Sequence, residues 1–212
     1  MESDLKKLNR FTTIPFLIDL LKRKKLTLLN PKFWEDYNDR ETVEIYRKQI
    51  KAESVYALCL THESETVHHW NAFASGTNGC CIEFSPVKLF SYLNRVPGFV
   101  HGRVKYLPVN LLSKTSIEVS DLPFVKRHPF EPEKEYRLIV TSNEKQLPAF
   151  DINIDVNVIR RITISNNLPQ TTFESLKEIL ALIEPNYKGG IYHSTLYNNT
   201  NWINHFSKKR WE

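Results

Sequence analysis

Glycine is scarce, with six in 212 residues. A phosphate-cradling loop or a dinucleotide fingerprint needs several glycines at fixed spacing, and neither pattern occurs. The Gly-x-Ser-x-Gly elbow of serine hydrolases is missing as well. Cysteine is equally sparse: Cys59, Cys80 and Cys81 make no disulfide framework. Cys80 and Cys81 are adjacent, so on a strand they point to opposite faces and do not readily bind one ion. His68 and His69 diverge in the same way on a helix, and the set matches no usual zinc spacing. No apolar run approaches the length of a membrane span. The first residues, from Met1 to Lys7, hold no signal-peptide apolar region. The expectation is a cytoplasmic chain with no membrane partner. Neither sign of charge dominates, with 29 basic against 24 acidic residues and a net charge of +5. Basic groups gather at Lys22 to Lys25, at Lys126 to His128 and at Lys208 to Arg210. Such clusters permit a nucleic-acid partner without requiring one.

What the sequence does hold is a full complement of core formers: 41% hydrophobic residues, of which the aromatics are plentiful at 12% of the chain. One domain over residues 1–212 is expected. Residues 8–13 read as a strand, and 14–23 carry Ile14, Leu17, Ile18, Leu20 and Leu21 at helical spacing. Lys25 to Leu29 reads as a strand, and the loop from Asn30 to Asp39 is rich in both aromatics and acids. A polar helix is expected over 40–52, a strand over 54–61, and a helix from Ser64 to Ala74 with Ser64 as its N-cap. Strands follow at 80–84 and 100–106, with a helix at 86–95 between them. Residues 107–130 show no clear period. Strands at 149–154 and 158–164, a helix at 171–183 and a last strand at 191–197 complete the chain. Trp202, Ile203 and Phe206 are expected to pack back onto the body. Helices and strands are mixed without long parallel crossover units, so the expected class is α+β with a mainly antiparallel sheet, open to being split.

The stretch from Glu131 to Val140 begins acidic and ends as an apolar β-branched run. It reads as a loop feeding a strand. If Glu133 is already extended, Glu133, Glu135 and Arg137 line one face, because side chains two apart share a face. One reading is an ion-pair ladder on a solvated face, which stabilises little. The other is that Arg137 holds one or both glutamates ready for chemistry. Trp70 and Phe73 lie three apart on the same predicted helix face. Core packing is the simpler role for Phe73, whereas Trp70, with polar neighbours, is a candidate to stack on a flat ligand ring. Arg10 beside Phe11 is either a surface residue or, in a pocket, a bidentate phosphate ligand.

The order of these motifs resembles a bacterial domain-of-unknown-function family, number two-nine-seven-one, from about Leu8 to about Ile183. The stretches that carry the resemblance are Leu8-Asn9-Arg10-Phe11-Thr12, Leu28 to Asp39, Trp70-Asn71-Ala72-Phe73, Gly79 to Phe84, and Phe124 to Arg127 with Glu133 to Leu138. Asn9, Phe11 and Phe73 depart from its pattern, standing where aromatic or tyrosine residues are usual. More remotely, a basic residue in the first strand, an aromatic-bearing helix after a middle strand and Glu-x-Glu on a late strand look like the ADP-ribosyltransferase arrangement. That resemblance implies NAD as substrate, with Glu135 stabilising a cationic ribosyl group and Glu133 acting as acceptor-side base. It also implies that Arg10 holds the pyrophosphate or adenosine side, Trp70 stacks on nicotinamide and Arg137 fixes the glutamate rotamers. The acceptor would be a protein or a nucleic acid, in a toxin or phage-defence setting with a possible partner protein. Two alternatives stand beside it. One is a non-catalytic sensor or partner-binding module. The other is a nucleic-acid processing enzyme in which Asp36, Asp39 or the glutamates hold Mg²⁺.

Overall fold

The computed structural model describes residues 5–209. Helix α1 (Ile14–Arg23) follows strand β1 (Leu8–Thr13) without a loop, with Pro15 in its first turn, where a missing N–H costs nothing. It buries Leu17, Leu20 and Leu21 and stops at Lys24, whose left-handed backbone (φ 55°) turns the chain into β2 (Lys25–Leu29). The helix α2 (Tyr37–Gln49) starts earlier than the polar pattern suggests, because the Asp36 side chain caps it by accepting from the N–H groups of Asn38 and Asp39. In α3 (Val67–Phe73) the cap is Thr66 rather than Ser64.

Strand β3 (Ser54–Thr61) organises the sheet. It pairs along its whole length with β8 (Glu135–Ser142), from Ser54 opposite Ser142 to Thr61 opposite Glu135. Its other edge is shared between two strands: Ala57 meets Leu29 of β2, and Thr61 meets Asn9 of β1. The sheet therefore divides there. One arm runs from β1 through β4 (Gly79–Phe84) and β10 (Ile159–Ile164) to β11 (Gly190–His193), and the other from β2 to β9 (Ala149–Asn153). Beyond β8 lies β5 (Phe99–Arg103). Among the described residues the sheet has nine strands, and every pairing in it is antiparallel except β10 with β11. The fold is thus a single α+β domain with a mostly antiparallel, divided sheet.

The two faces of the sheet have different cores. The larger one packs α1, α4 (Pro86–Leu93) and α5 (Gln170–Ile183) onto Leu8, Leu58, Leu60, Ile82, Leu138 and Ile162. The smaller packs Val43 and Tyr46 of α2 onto Val55, Ala57 and Ile139, with Trp34, Leu122 and Phe124 at its margin. Gly79 is needed where α3 ends against β4, since a Cβ there would sit 1.8 Å from the Ala74 carbonyl oxygen.

Residues 107–130, which show no period, are built mainly of tight turns. Three 3₁₀ segments (Val109–Lys114, Val119–Phe124 and His128–Glu133) flank β7 (Val125–Arg127), which pairs in parallel with β6 (Lys105–Leu107). The expected strand over 100–106 is two short strands. The C-terminal expectation is corrected for two of its residues: α6 (Thr200–Ser207) leaves Trp202 66% exposed and Ile203 similarly exposed, so these two side chains are not buried against the body. Arg210 lies outside the described residues. No helix among the described residues is long and apolar enough to cross a membrane.

Candidate active site

Glu135 and Arg137 lie on one face of β8, as strand alternation requires, and both are buried. Glu133 reaches them by a different route from the expected one. It is not extended but closes the last 3₁₀ turn, and Lys134 then adopts a left-handed conformation (φ 46°) before the strand begins. The two glutamates converge because of this turn, not because of the pleat.

Around them is a buried ion network drawn from four parts of the chain. Arg137 is fully enclosed, at 0% exposure. It donates from Nη1 and Nη2 to Asp39 Oδ1 and Oδ2 at 2.8 and 2.6 Å, and from Nε to Glu135 Oε2 at 2.7 Å. Nη1 also donates to the Pro123 carbonyl at 3.1 Å, and the Trp34 ring covers the guanidinium at 5.0 Å. Lys126 Nζ donates to Glu133 Oε2 at 2.6 Å and Glu135 Oε1 at 3.1 Å, and lies 3.7 Å from Asp39 Oδ2. Planar, bidentate pairing of this kind is what a guanidinium, but not an ammonium, can give.

Three carboxylates face two cations, so one negative charge is in excess. The pair of glutamates resolves it. Burial, and then a hydrogen bond to Glu135, push the Glu133 carboxyl up to about 7. Burial alone would raise Glu135 too, but Arg137 and Lys126 outweigh it and hold Glu135 down at about 2. At neutral pH a protonated Glu133 can donate to an ionised Glu135, and two carboxyls with separated titrations are the usual substrate for acid–base chemistry. The turn that carries Glu133 is itself fixed. Its carbonyl accepts from His69 Nε2 at 2.8 Å, and the Thr66 hydroxyl donates to His69 Nδ1 at 2.6 Å. Desolvation lowers the His69 pKa, which suits this neutral tautomer.

The glutamates border a cavity of about 60 Å³ with Asn9, Phe11, Cys59, His69 and Phe73 on its walls. Since a water in the liquid takes about 30 Å³, the cavity holds one small functional group, not a dinucleotide. Asn9 is 3% exposed; its Nδ2 donates to the Glu63 carbonyl at 2.6 Å, and its Oδ1 has no partner among the described residues.

Glu133, Glu135 and Arg137 therefore come together. Trp70 does not join them. It is 5% exposed, packs with Ala74 and Cys81, meets Phe11 edge-on and donates from Nε1 to Glu65 Oε2 at 3.0 Å. Phe73, expected in the core, is 44% exposed and lines the cavity instead. Arg10 also stays apart: alternation along β1 sends Asn9 and Phe11 to the cavity and Arg10, with Leu8 and Thr12, to the other side near Cys80.

Residues that sequence reasoning did not assign to the site include Lys126, His69 and Asn9. Lys126 carries a signal, as the lysine ahead of the Glu-x-Glu motif, although Arg127 and His128 beside it make it read as part of a surface basic cluster. From the sequence, Asp39 reads as a candidate Mg²⁺ ligand. In the structure its carboxylate is occupied by Arg137, and cations stand where a metal would have to enter. Among the described residues no three His, Cys, Asp or Glu side chains are grouped to hold a metal ion. Asp36 serves the helix cap. Asp36→Ala is expected to cost about 1 kcal/mol in a denaturant titration and to leave any NAD turnover unchanged; an inactive but equally stable variant would give Asp36 a direct role.

No protein-family model matches the chain, and no curated protein matches it. The resemblance to the domain-of-unknown-function family thus rests on the quoted motifs alone. Among solved structures, Thermus sp. 2.9 DarT in complex with ADP-ribosylated ssDNA is similar at 14% identity and a TM-score of 0.47, over 90% of this chain and 95% of that one. The same protein in complex with NAD+ is similar at 12% identity and a TM-score of 0.47, over 90% and 96%. In complex with carba-NAD+ it is similar at 12% identity and a TM-score of 0.45, over 91% and 97%. At these TM-scores the likeness carries no weight for activity.

Proposed function

We propose that this chain is an NAD-consuming, ADP-ribosyltransferase-like enzyme. The observation that carries the reading is the pair of glutamates with opposite pKa shifts at one ring-walled cavity. Breaking the nicotinamide–ribose bond releases neutral nicotinamide and leaves positive charge on the sugar, as in glycoside hydrolysis. Glu135, kept ionised by Arg137 and Lys126, would stabilise that charge. An acceptor O–H or N–H would then bond to the sugar carbon while its proton passes to Glu133. Arg137 and Lys126 hold the two carboxylates in register. Trp70, being enclosed, leaves ring contact to Phe11, His69 and Phe73. A dinucleotide that also reached Arg10 would have to cross the edge of β1 where the sheet divides, and the cavity would have to open for it. The acceptor is proposed as a protein or a nucleic acid, in a toxin or defence setting. The competing reading is a non-catalytic module, and one observation favours it: both Glu135 oxygens already accept from buried cations.

Incubation of the protein with labelled NAD and cell extract, with mass spectrometry of the products, separates the two. The transferase reading expects nicotinamide release and a labelled acceptor; a folded protein that consumes no NAD with any extract overturns it. The pH dependence is a second readout. Turnover should rise through pH about 7 as Glu133 loses its proton, and Glu133→Gln should remove that limb. Stability should move oppositely. The folded state keeps on Glu133 a proton that the unfolded chain releases from about pH 4.5, so this group's contribution falls as pH rises from about 4.5 to 7. The contribution of Glu135 is complete above about pH 4.5 and is lost as pH falls toward 2.

A further inference from the structure

We propose that Asn9 is a specificity-determining residue of the glutamate cavity, whose side-chain oxygen accepts a hydrogen bond from a neutral N–H or O–H group of the ligand. The orientation of its amide is fixed. Nδ2 must face the Glu63 carbonyl, 2.6 Å away, because the opposite flip would set two acceptors against each other. Oδ1 is then left buried and with no partner among the described residues, on a side chain that borders the cavity. Unpaired buried acceptors are costly and uncommon, so a missing donor is the natural explanation.

The neighbouring side chains do not supply one. The Thr61 hydroxyl, directly across from Asn9 in the sheet, donates to the Lys134 carbonyl at 3.0 Å and accepts from the Glu63 N–H at 3.2 Å. His69 Nε2 is committed to the Glu133 carbonyl. Glu133, when protonated, is committed to Glu135, and the Cys59 thiol, a weak donor, makes no hydrogen bond to Asn9 Oδ1, so the unmet groups beside the cavity are acceptors, Asn9 Oδ1 and the carboxylate of Glu135, near the rings of Phe11 and Phe73. A ligand group that donates is favoured there, and an anion is rejected. The volume, about 60 Å³, admits a group the size of a carboxamide or a hydroxyl. Within the NAD reading, on which the identity of the ligand rests, such a donor comes from the nicotinamide carboxamide or from a ribose hydroxyl.

The test is direct binding, which does not depend on turnover. Nicotinamide, nicotinic acid and ADP-ribose are titrated against the wild type and Asn9→Ala by calorimetry, with thermal unfolding of both proteins. The wild type should bind nicotinamide roughly tenfold or more tightly than nicotinic acid, a difference the size of one good hydrogen bond. Asn9→Ala should lose most of that preference while still folded. If the alanine variant instead weakens ADP-ribose and spares nicotinamide, the donor is the sugar hydroxyl. The proposal is overturned if the wild type binds neither nicotinamide nor ADP-ribose. It is also overturned if the folded variant binds all three as the wild type does. Should Asn9→Ala fail to fold, equal wild-type affinity for nicotinamide and nicotinic acid overturns the carboxamide form, and absence of ADP-ribose binding the hydroxyl form. Selective binding without NAD consumption would keep Asn9 and remove the transferase; NAD consumption with an indifferent Asn9→Ala would do the reverse.

Discussion

Glu135→Gln is expected to lower NAD turnover by roughly 10²–10³ while leaving a folded protein. The amide keeps the size of the side chain, and its one oxygen can still accept from Arg137, although a charge-assisted bond becomes weaker and the contact that Lys126 makes to the other Glu135 oxygen is lost. What it loses is the negative charge that a cationic sugar needs. Charge arithmetic explains why the fold should tolerate this. With Glu135 ionised, Glu133 is held protonated by burial and by its neighbour. Once Glu135 is neutral, that neighbour no longer opposes ionisation, so Glu133 can take up the charge beside Lys126, 2.6 Å away. Two cations then face Glu133 and Asp39, and the network stays balanced. The variant should therefore lose its titration near neutral pH as well as its turnover. The check is NAD consumption and thermal unfolding on one preparation of each protein. Unchanged turnover in a folded Glu135→Gln protein would remove Glu135 from the chemistry; a loss of activity that only tracks the unfolded fraction would mark the network as structural.

Arg137→Met carries the largest expected effect on stability. The guanidinium is fully buried, and its hydrogen bonds and ion pairs join β8 to Asp39 in the first turn of α2, to Glu135 and to the Pro123 carbonyl. Without it, Asp39 and Glu135 remain buried with only Lys126 to share. Removing one partner of a buried ion pair costs about 3–5 kcal/mol. For a domain of this size that corresponds to a fall in Tm of roughly 6–20 °C. The double variant Asp39→Leu with Arg137→Met should recover much of the loss, because one cation then faces one ionised glutamate, and apolar replacements of buried pairs are often neutral or better. Thermal unfolding of the single and double variants measures this. A single variant within about 1 kcal/mol of wild type would show that Asp39 and Glu135 are not held by charge.

The local elements were legible because their signals are local. The stripe of Leu17, Leu20 and Leu21 fixes α1, the left-handed Lys24 sits where the helical pattern stops, and the apolar run after Glu135 fixes β8. Residues 107–130 gave no period because they form short turns whose side chains answer to distant partners, as Phe124 does in packing beside Val43 and Ile139. The exposed apolar face of α6 shows the opposite limit: helical spacing says which side chains share a face, not whether anything covers it.

By itself the sequence determined the class of fold, the identity of Glu135 and Arg137 as strand neighbours on one face, and the concentration of acids and aromatics ahead of α2. Strand alternation and helical spacing are enough for these, since both act within a few residues. Only the tertiary structure decided that Asp39 and Lys126 meet across Arg137, which lies 98 residues from Asp39 in the chain. It alone turned Trp70 inward and Phe73 toward the cavity, sent Arg10 to the other side of β1, and left the side-chain oxygen of Asn9 with no partner among the described residues. The physical reason is common to all of these. Charge compensation and hydrogen-bond satisfaction in a buried site depend on which groups are near in space, and that proximity is set by the packing of whole elements, not by spacing along the chain.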